Sequence, residues 1–191
     1  VYACGMKKML VLFQIGRKPL EDGMRILGAH IDSPRLDLKQ NPLYEDTEMV
    51  YLDTHYYGGV KNYQWVTIPL AIHGVVAKKD GSVVEICIGE KEDDPVVFIS
   101  DLLIHLAAQQ MDKKAKVVIE GENLDILIGS RPLAKTEGEE EEKADKEAVK
   151  ANILGILKEQ YGIEEDDFLS AELEIVPADK ARDCGLDRSM I

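Results

Sequence analysis

Two residues apart, at the end of the apolar run ILGAHIDSP, stand His30 and Asp32. On an extended strand, alternate side chains share a face, so the two would project together while Ala29 and Ile31 face the other way. A neutral imidazole is a good zinc ligand, and a neighbouring carboxylate can fix which ring nitrogen keeps its lone pair. The rim where such a strand ends is also where ligands bind in open α/β sheets. An arbitrary His-x-Asp is nonetheless more often a hydrogen-bonded strand-end pair than part of a metal site, so spacing by itself decides nothing. Three further histidines need placing. His105 falls within SDLLIHLAAQQ, where Leu102, Leu103, Leu106 and Ala107 stand near helical spacing behind Ser100 or Asp101 as N-cap. His55 precedes a Tyr-Tyr-Gly-Gly loop and His73 lies in an alternating strand; neither is assigned a ligand role.

The elements that must carry these residues read mostly as β structure. MLVLFQIG and MRILGAHID are expected strands, a hairpin or sheet neighbours, joined through RKPLEDG, a turn built on Pro19 and Gly23. RLDLKQNPLYED alternates until Asn41-Pro42 forces a loop. MVYLDTHYYGG is a short strand ending at Gly58-Gly59, where missing β-carbons let the backbone turn sharply or approach a partner closely. WVTIPLAIHGVVAKK and SVVEICIG form an expected hairpin around Asp80-Gly81. KVVIEG, DILIGS and FLSAELEIVP also carry strand patterns. Between them, residues 139 to 161 place Ala144, Ala148, Ala151, Leu154, Leu157 and Tyr161 at helical spacing, ended by Gly162. The tail ADKARDCGLDRSMI is polar, with no closing cap or strand.

Composition narrows the function classes. The 191 residues, 45% of them hydrophobic, suffice for a substantial core, and a net charge of -13 argues against nucleic acid, whose phosphates need a basic surface. The run EGEEEEKADKE concentrates part of that charge, as a solvated helix start or loop would. No stretch reaches the roughly 20 apolar residues of a membrane span. The N-terminal stretch lacks a secretory cleavage site, and without an initiator Met the sequence is open to beginning inside a longer one. Cys4, Cys87 and Cys184 form no CxxC pair and leave an odd count. That usage suggests reduced thiols and a cytoplasmic setting, and disfavours the cysteines as zinc ligands.

GAHIDSPRLDLK, followed by NPLYED, THYYGG and a Trp-containing strand, closely resembles the first metal-binding segment of the aspartyl aminopeptidase / aminopeptidase I family of zinc metallopeptidases. DDPVVFISDLLIHLA, IEGENLDILIGSRPL and FLSAELEIVPADKARDCGLDRSMI extend the resemblance through most of the chain. It implies an α/β fold: a mixed-sheet catalytic domain interrupted by an inserted β-rich, barrel-like dimerisation domain. On that pattern, residues 1-65 begin the catalytic domain, 66-177 form the insertion and 178-191 return to the catalytic domain. It also implies a zinc-dependent hydrolase, an aminopeptidase taking N-terminal residues from peptides, that assembles as a homo-oligomer from dimers. His30 inherits the role of zinc ligand and Asp32 that of supporting carboxylate. His105, in LLIHL, inherits that of a histidine reaching into the partner's active site.

A two-zinc centre further needs a bridging carboxylate, more terminal ligands and a base for a water whose pKa the metal lowers towards about 7. The family takes these from segments that follow the Asp-Arg-Ser stretch, here Asp187-Arg188-Ser189. The chain as given is therefore expected to be a truncated portion that holds no two-zinc centre and is inactive alone. An alternative reading is an assembly module without catalysis of its own; a third is a ligand-binding β domain, if His30 and Asp32 prove buried and mutually satisfied. QWVTIPLAIHG replaces a Trp-Phe-Asp-Arg-Asp-Leu run common in the family, which leaves acidic or aliphatic N-terminal preference open.

Overall fold

A computed structural model describes residues 1–6, 8–134 and 147–191. The chain divides into two compact units, Val1–Ser33 and Pro34–Ile191. No division falls near residue 65.

In the first unit, β1 (Tyr2–Gly5) and β2 (Met9–Leu12) form an antiparallel hairpin, Tyr2 opposite Leu12. The expected turn is present as a short 3-10 segment, Leu20–Asp22, closed by Gly23 at φ 95°. The expected strand MRILGAHID is not: residues 24 to 33 run without regular structure, and no described strand pairs with them. Alternation shapes a surface, but a strand also needs a neighbouring backbone to take its N–H and C=O groups. Leu10, Leu12, Ile26, Leu27 and Ile31 are all exposed.

The second unit is a mixed α/β body around a six-stranded sheet in the order β6-β5-β8-β3-β4-β7. Its strands are β3 (Arg35–Asp46), β4 (Met49–Tyr57), β5 (Leu70–Ala77), β6 (Val83–Ile88), β7 (Ile126–Gly129) and β8 (Ala171–Pro177). All their pairings are antiparallel. Residues 97 to 99 bridge Leu70 on one side and Leu127 on the other, with Leu70 N–H donating to the Val97 carbonyl at 2.8 Å and Leu127 N–H to that of Phe98 at 2.9 Å. The sheet thereby curls into a hydrogen-bonded ring, which removes edges that an open sheet would expose.

Asn41-Pro42 does not break β3. The register passes from Leu38 opposite Thr54 to Leu43 opposite Leu52, so β3 advances five residues while β4 advances two. The surplus is a bulge that re-aims the strand and buries Pro42. The reversal into β4 falls instead at Thr47 and Glu48, both at positive φ (49° and 61°), as a two-residue hairpin requires. The β5–β6 hairpin forms as expected, with Asp80 Oδ1 accepting from Ser82 N–H at 2.8 Å and Ser82 Oγ at 2.6 Å. Gly74 is required within β5: at φ 143° a β-carbon there would meet the Glu172 carbonyl.

Leu36, Leu70, Ile126 and Ile175 are fully buried inside the ring, each worth about 1.5–3 kcal/mol relative to exposure. Helix α2 (Ala148–Tyr161) covers them with Val149, Ile153 and Leu157; Gly162, at φ 64°, ends it with its N–H on the Lys158 carbonyl at 3.0 Å. The expected start of this helix, residues 139 to 146, lies outside the described residues. KVVIEG is irregular rather than a strand. The expected helix at SDLLIHLAAQQ shrinks to α1 (Ala108–Met111), which leaves His105 in the preceding turn. Leu102, Leu103 and Leu106 are exposed, so no core contact rewards the helical spacing they carry.

Candidate metal centre

His30 and Asp32 meet in the first unit, with His30 Nδ1 3.1 Å from Asp32 Oδ1. An ionised carboxylate only accepts, so a neutral imidazole in this pair carries its proton on Nδ1 and keeps the Nε2 lone pair. That is the tautomer a ligating histidine takes when a carboxylate orients it. Their side chains are 85% and 53% exposed, which removes the ground for a buried, self-satisfied pair. The chain then enters β3 through Ser33-Pro34, and Gly58, at the end of β4, lies against Pro34.

The other histidines belong to the second unit. His105 is exposed in a turn whose stem is held by Asp101 Oδ1, which accepts from Leu102 N–H and Gln110 Nε2 at 2.8 Å each. His73 is half-buried and bonded through Nε2 to Glu90 Oε1 at 2.9 Å. His55 stacks on Tyr56, with Glu122 at 4.0 Å. Register places Cys87, His73, Glu174, Asp37 and His55 opposite one another on successive strands. The facing carboxylates of Asp37 and Glu174 are reconciled by Arg35, whose Nε lies 2.7 and 3.3 Å from them and whose guanidinium covers the Tyr57 ring at 4.1 Å.

A second polar cluster was not visible in the sequence. Tyr44 donates to Asp125 Oδ2 at 2.6 Å, Lys39 sits 2.8 Å from Asp53 and 3.1 Å from Glu122, and Asp125 Oδ1 is buried with no hydrogen-bond partner. Burial raises the Asp125 carboxyl above its ordinary range; the Tyr44 bond opposes that, and Asp53 adds to it. Burial, then the bond to Asp125, likewise raises the Tyr44 phenol. Only the fold joins these residues.

His30, an exposed imidazole held by Asp32 through Nδ1, could offer a metal ion one ligand through Nε2. Among the described residues, no group of three or more His, Cys, Asp or Glu side chains could hold a metal ion. The residues present therefore do not make a complete zinc centre, and no chemical step is derived through one. No described helix is long and apolar enough to cross a membrane.

Comparison with known proteins shows the family. The profile of the aminopeptidase I zinc metalloprotease (M18) family matches residues 1–191. The chain is 63% identical over its whole length to a probable M18 family aminopeptidase 1 of Clostridium acetobutylicum. The crystal structure of aminopeptidase I from that organism matches 98% of this chain at 60% identity, with a TM-score of 0.83. An M18 aminopeptidase from Thermotoga maritima matches 84% at 54% identity, with a TM-score of 0.76. With its curled sheet, its His-x-Asp-Ser-Pro segment and a family match from end to end, the chain belongs to the M18 aminopeptidase I family of zinc metalloproteases. It spans about 40% of the length of the Clostridium relative, 40% of the Clostridium structure and 34% of the Thermotoga structure.

Proposed function

We propose that the chain is part of a zinc-dependent aminopeptidase that removes N-terminal residues from peptides. His30 supplies a zinc ligand through Nε2, and Asp32 holds its ring in the ligating tautomer. The observation that carries this reading is the 3.1 Å contact between the two, exposed to solvent, in a chain of this family. Zinc, when bound, polarises the scissile carbonyl and activates water; two ions per site are proposed, with the ligands missing from this chain drawn from elsewhere in the longer protein. This chain alone is accordingly inactive.

Residues 1 to 33 contribute to the catalytic domain, and 34 to 177 form the inserted domain, a boundary drawn at Pro34 because β3 and β4 share one sheet with β5 and β8. Residues 178 to 191 return to the catalytic domain. His105 completes a partner's active site. Support comes from its turn, which exposes Leu103, Ile104 and Leu106 around it, as a surface awaiting a second copy would. The same apolar turn favours a second reading, in which the isolated chain acts chiefly as a homo-oligomerising module. A cytoplasmic location accords with three unpaired cysteines.

The test is a peptidase assay of the longer protein carrying His30→Ala. It should lose activity by at least a thousandfold while keeping its fold; activity within tenfold of the unaltered protein overturns the assignment.

A further inference from the structure

The second unit carries an apolar cavity that is partly open to solvent. Strands β3 to β8 and helix α2 bound a cavity of about 430 Å³, lined by aliphatic side chains including Leu52, Ile72, Ile86, Ile128, Ile153 and Leu173. Protein interiors hold few voids larger than a water molecule, whereas sites for small molecules occupy roughly 300–1,000 Å³ and pair apolar walls with a few polar groups. The polar side chains here are Asp94, Gln160 and Tyr161. Asp94 is the single carboxylate of the lining, which holds no lysine, arginine or histidine, and the Lys91 charge acts on it from outside the lining. It accepts the Lys91 backbone N–H at 3.0 Å, and that bond, against a smaller burial effect, holds its carboxyl below the ordinary range.

Charge selects among occupants that could fill an aliphatic cavity. A fatty acid would set its carboxylate against Asp94, in a chain whose net charge is -13. A cationic head meets attraction from both. We propose that this cavity is a binding site for a linear aliphatic amine, its hydrocarbon chain among the isoleucines and leucines and its ammonium group at Asp94. The proposal stands independently of the peptidase reading.

Calorimetric titration of the 191-residue chain with hexylamine, octylamine and decylamine, and with the matching carboxylates and alcohols, tests it. One amine should bind per chain, tightening about fourfold per added methylene until the cavity is full, with the carboxylate of equal length at least tenfold weaker. Ile128→Trp should abolish binding. Asp94→Asn, at a position outside the packed core, should weaken the amine two- to fivefold and leave the alcohol unchanged; it decides the matter should the tryptophan variant not fold. Absence of saturable binding, carboxylates binding as tightly as amines, two chains sharing one amine, or an Asp94→Asn variant that treats amine and alcohol alike would overturn the proposal.

Discussion

Asp125 shows how a single side chain can tie stability to pH. Its folded-state carboxyl titrates above the ordinary 3.8, because burial and the Asp53 charge disfavour its ionised form. A group raised in this way contributes stability fully present below its unfolded value and lost as pH rises through its folded value. Urea unfolding from pH 4 upward should therefore show stability falling by at most about 1.4 kcal/mol per pH unit across that window, and Asp125→Asn should flatten the slope. At His30 the expectation is the reverse in kind: the side chain is 85% exposed, so His30→Ala should change unfolding free energy by less than about 0.5 kcal/mol. What was legible at this scale depended on distance along the chain. His30 and Asp32 are two residues apart, and their spacing announced a contact. Tyr44 and Asp125 are separated by 81 positions, and nothing in either neighbourhood announces the other.

The elements that formed as read are those in which local pattern and tertiary demand agree. Asp80-Gly81 supplies its own turn between β5 and β6, and Gly162 ends α2 in the left-handed conformation that its neighbours would resist. Gly162→Ala should consequently cost about 1 kcal/mol, measured by chemical denaturation. Gly74→Ala should cost about 3 kcal/mol or more, since the new methyl must displace the β8 backbone at Glu172 as well as adopt φ 143°. Elements misread in the sequence lacked that agreement. Asn41-Pro42 has loop chemistry, yet sheet pairing on both flanks absorbs it as a bulge. Leu102 to Leu106 has helical spacing, and MRILGAHID has strand alternation, but neither has a described surface to pack against.

At the scale of the molecule, a ring of antiparallel strands closed through residues 97 to 99 supports a polar outer row and an aliphatic interior. The N-terminal unit, taken by itself, exposes most of its apolar side chains. Exposed apolar surface of this kind marks sites of association. Sedimentation of the chain should show concentration-dependent self-association, weakened by Leu103→Asp paired with Leu106→Asp. Curled architecture and family were both legible from the sequence; the unit boundary at Ser33 and Pro34 was not, because it depends on which strands share a sheet. The central claim, that His30 is a zinc ligand in a site this chain only begins, is tested most directly by equilibrium dialysis of the 191-residue chain against zinc. We expect at most one weakly held ion per chain, lost in His30→Ala and retained in His73→Ala. Two tightly held ions, or weak binding indifferent to His30→Ala, would contradict it.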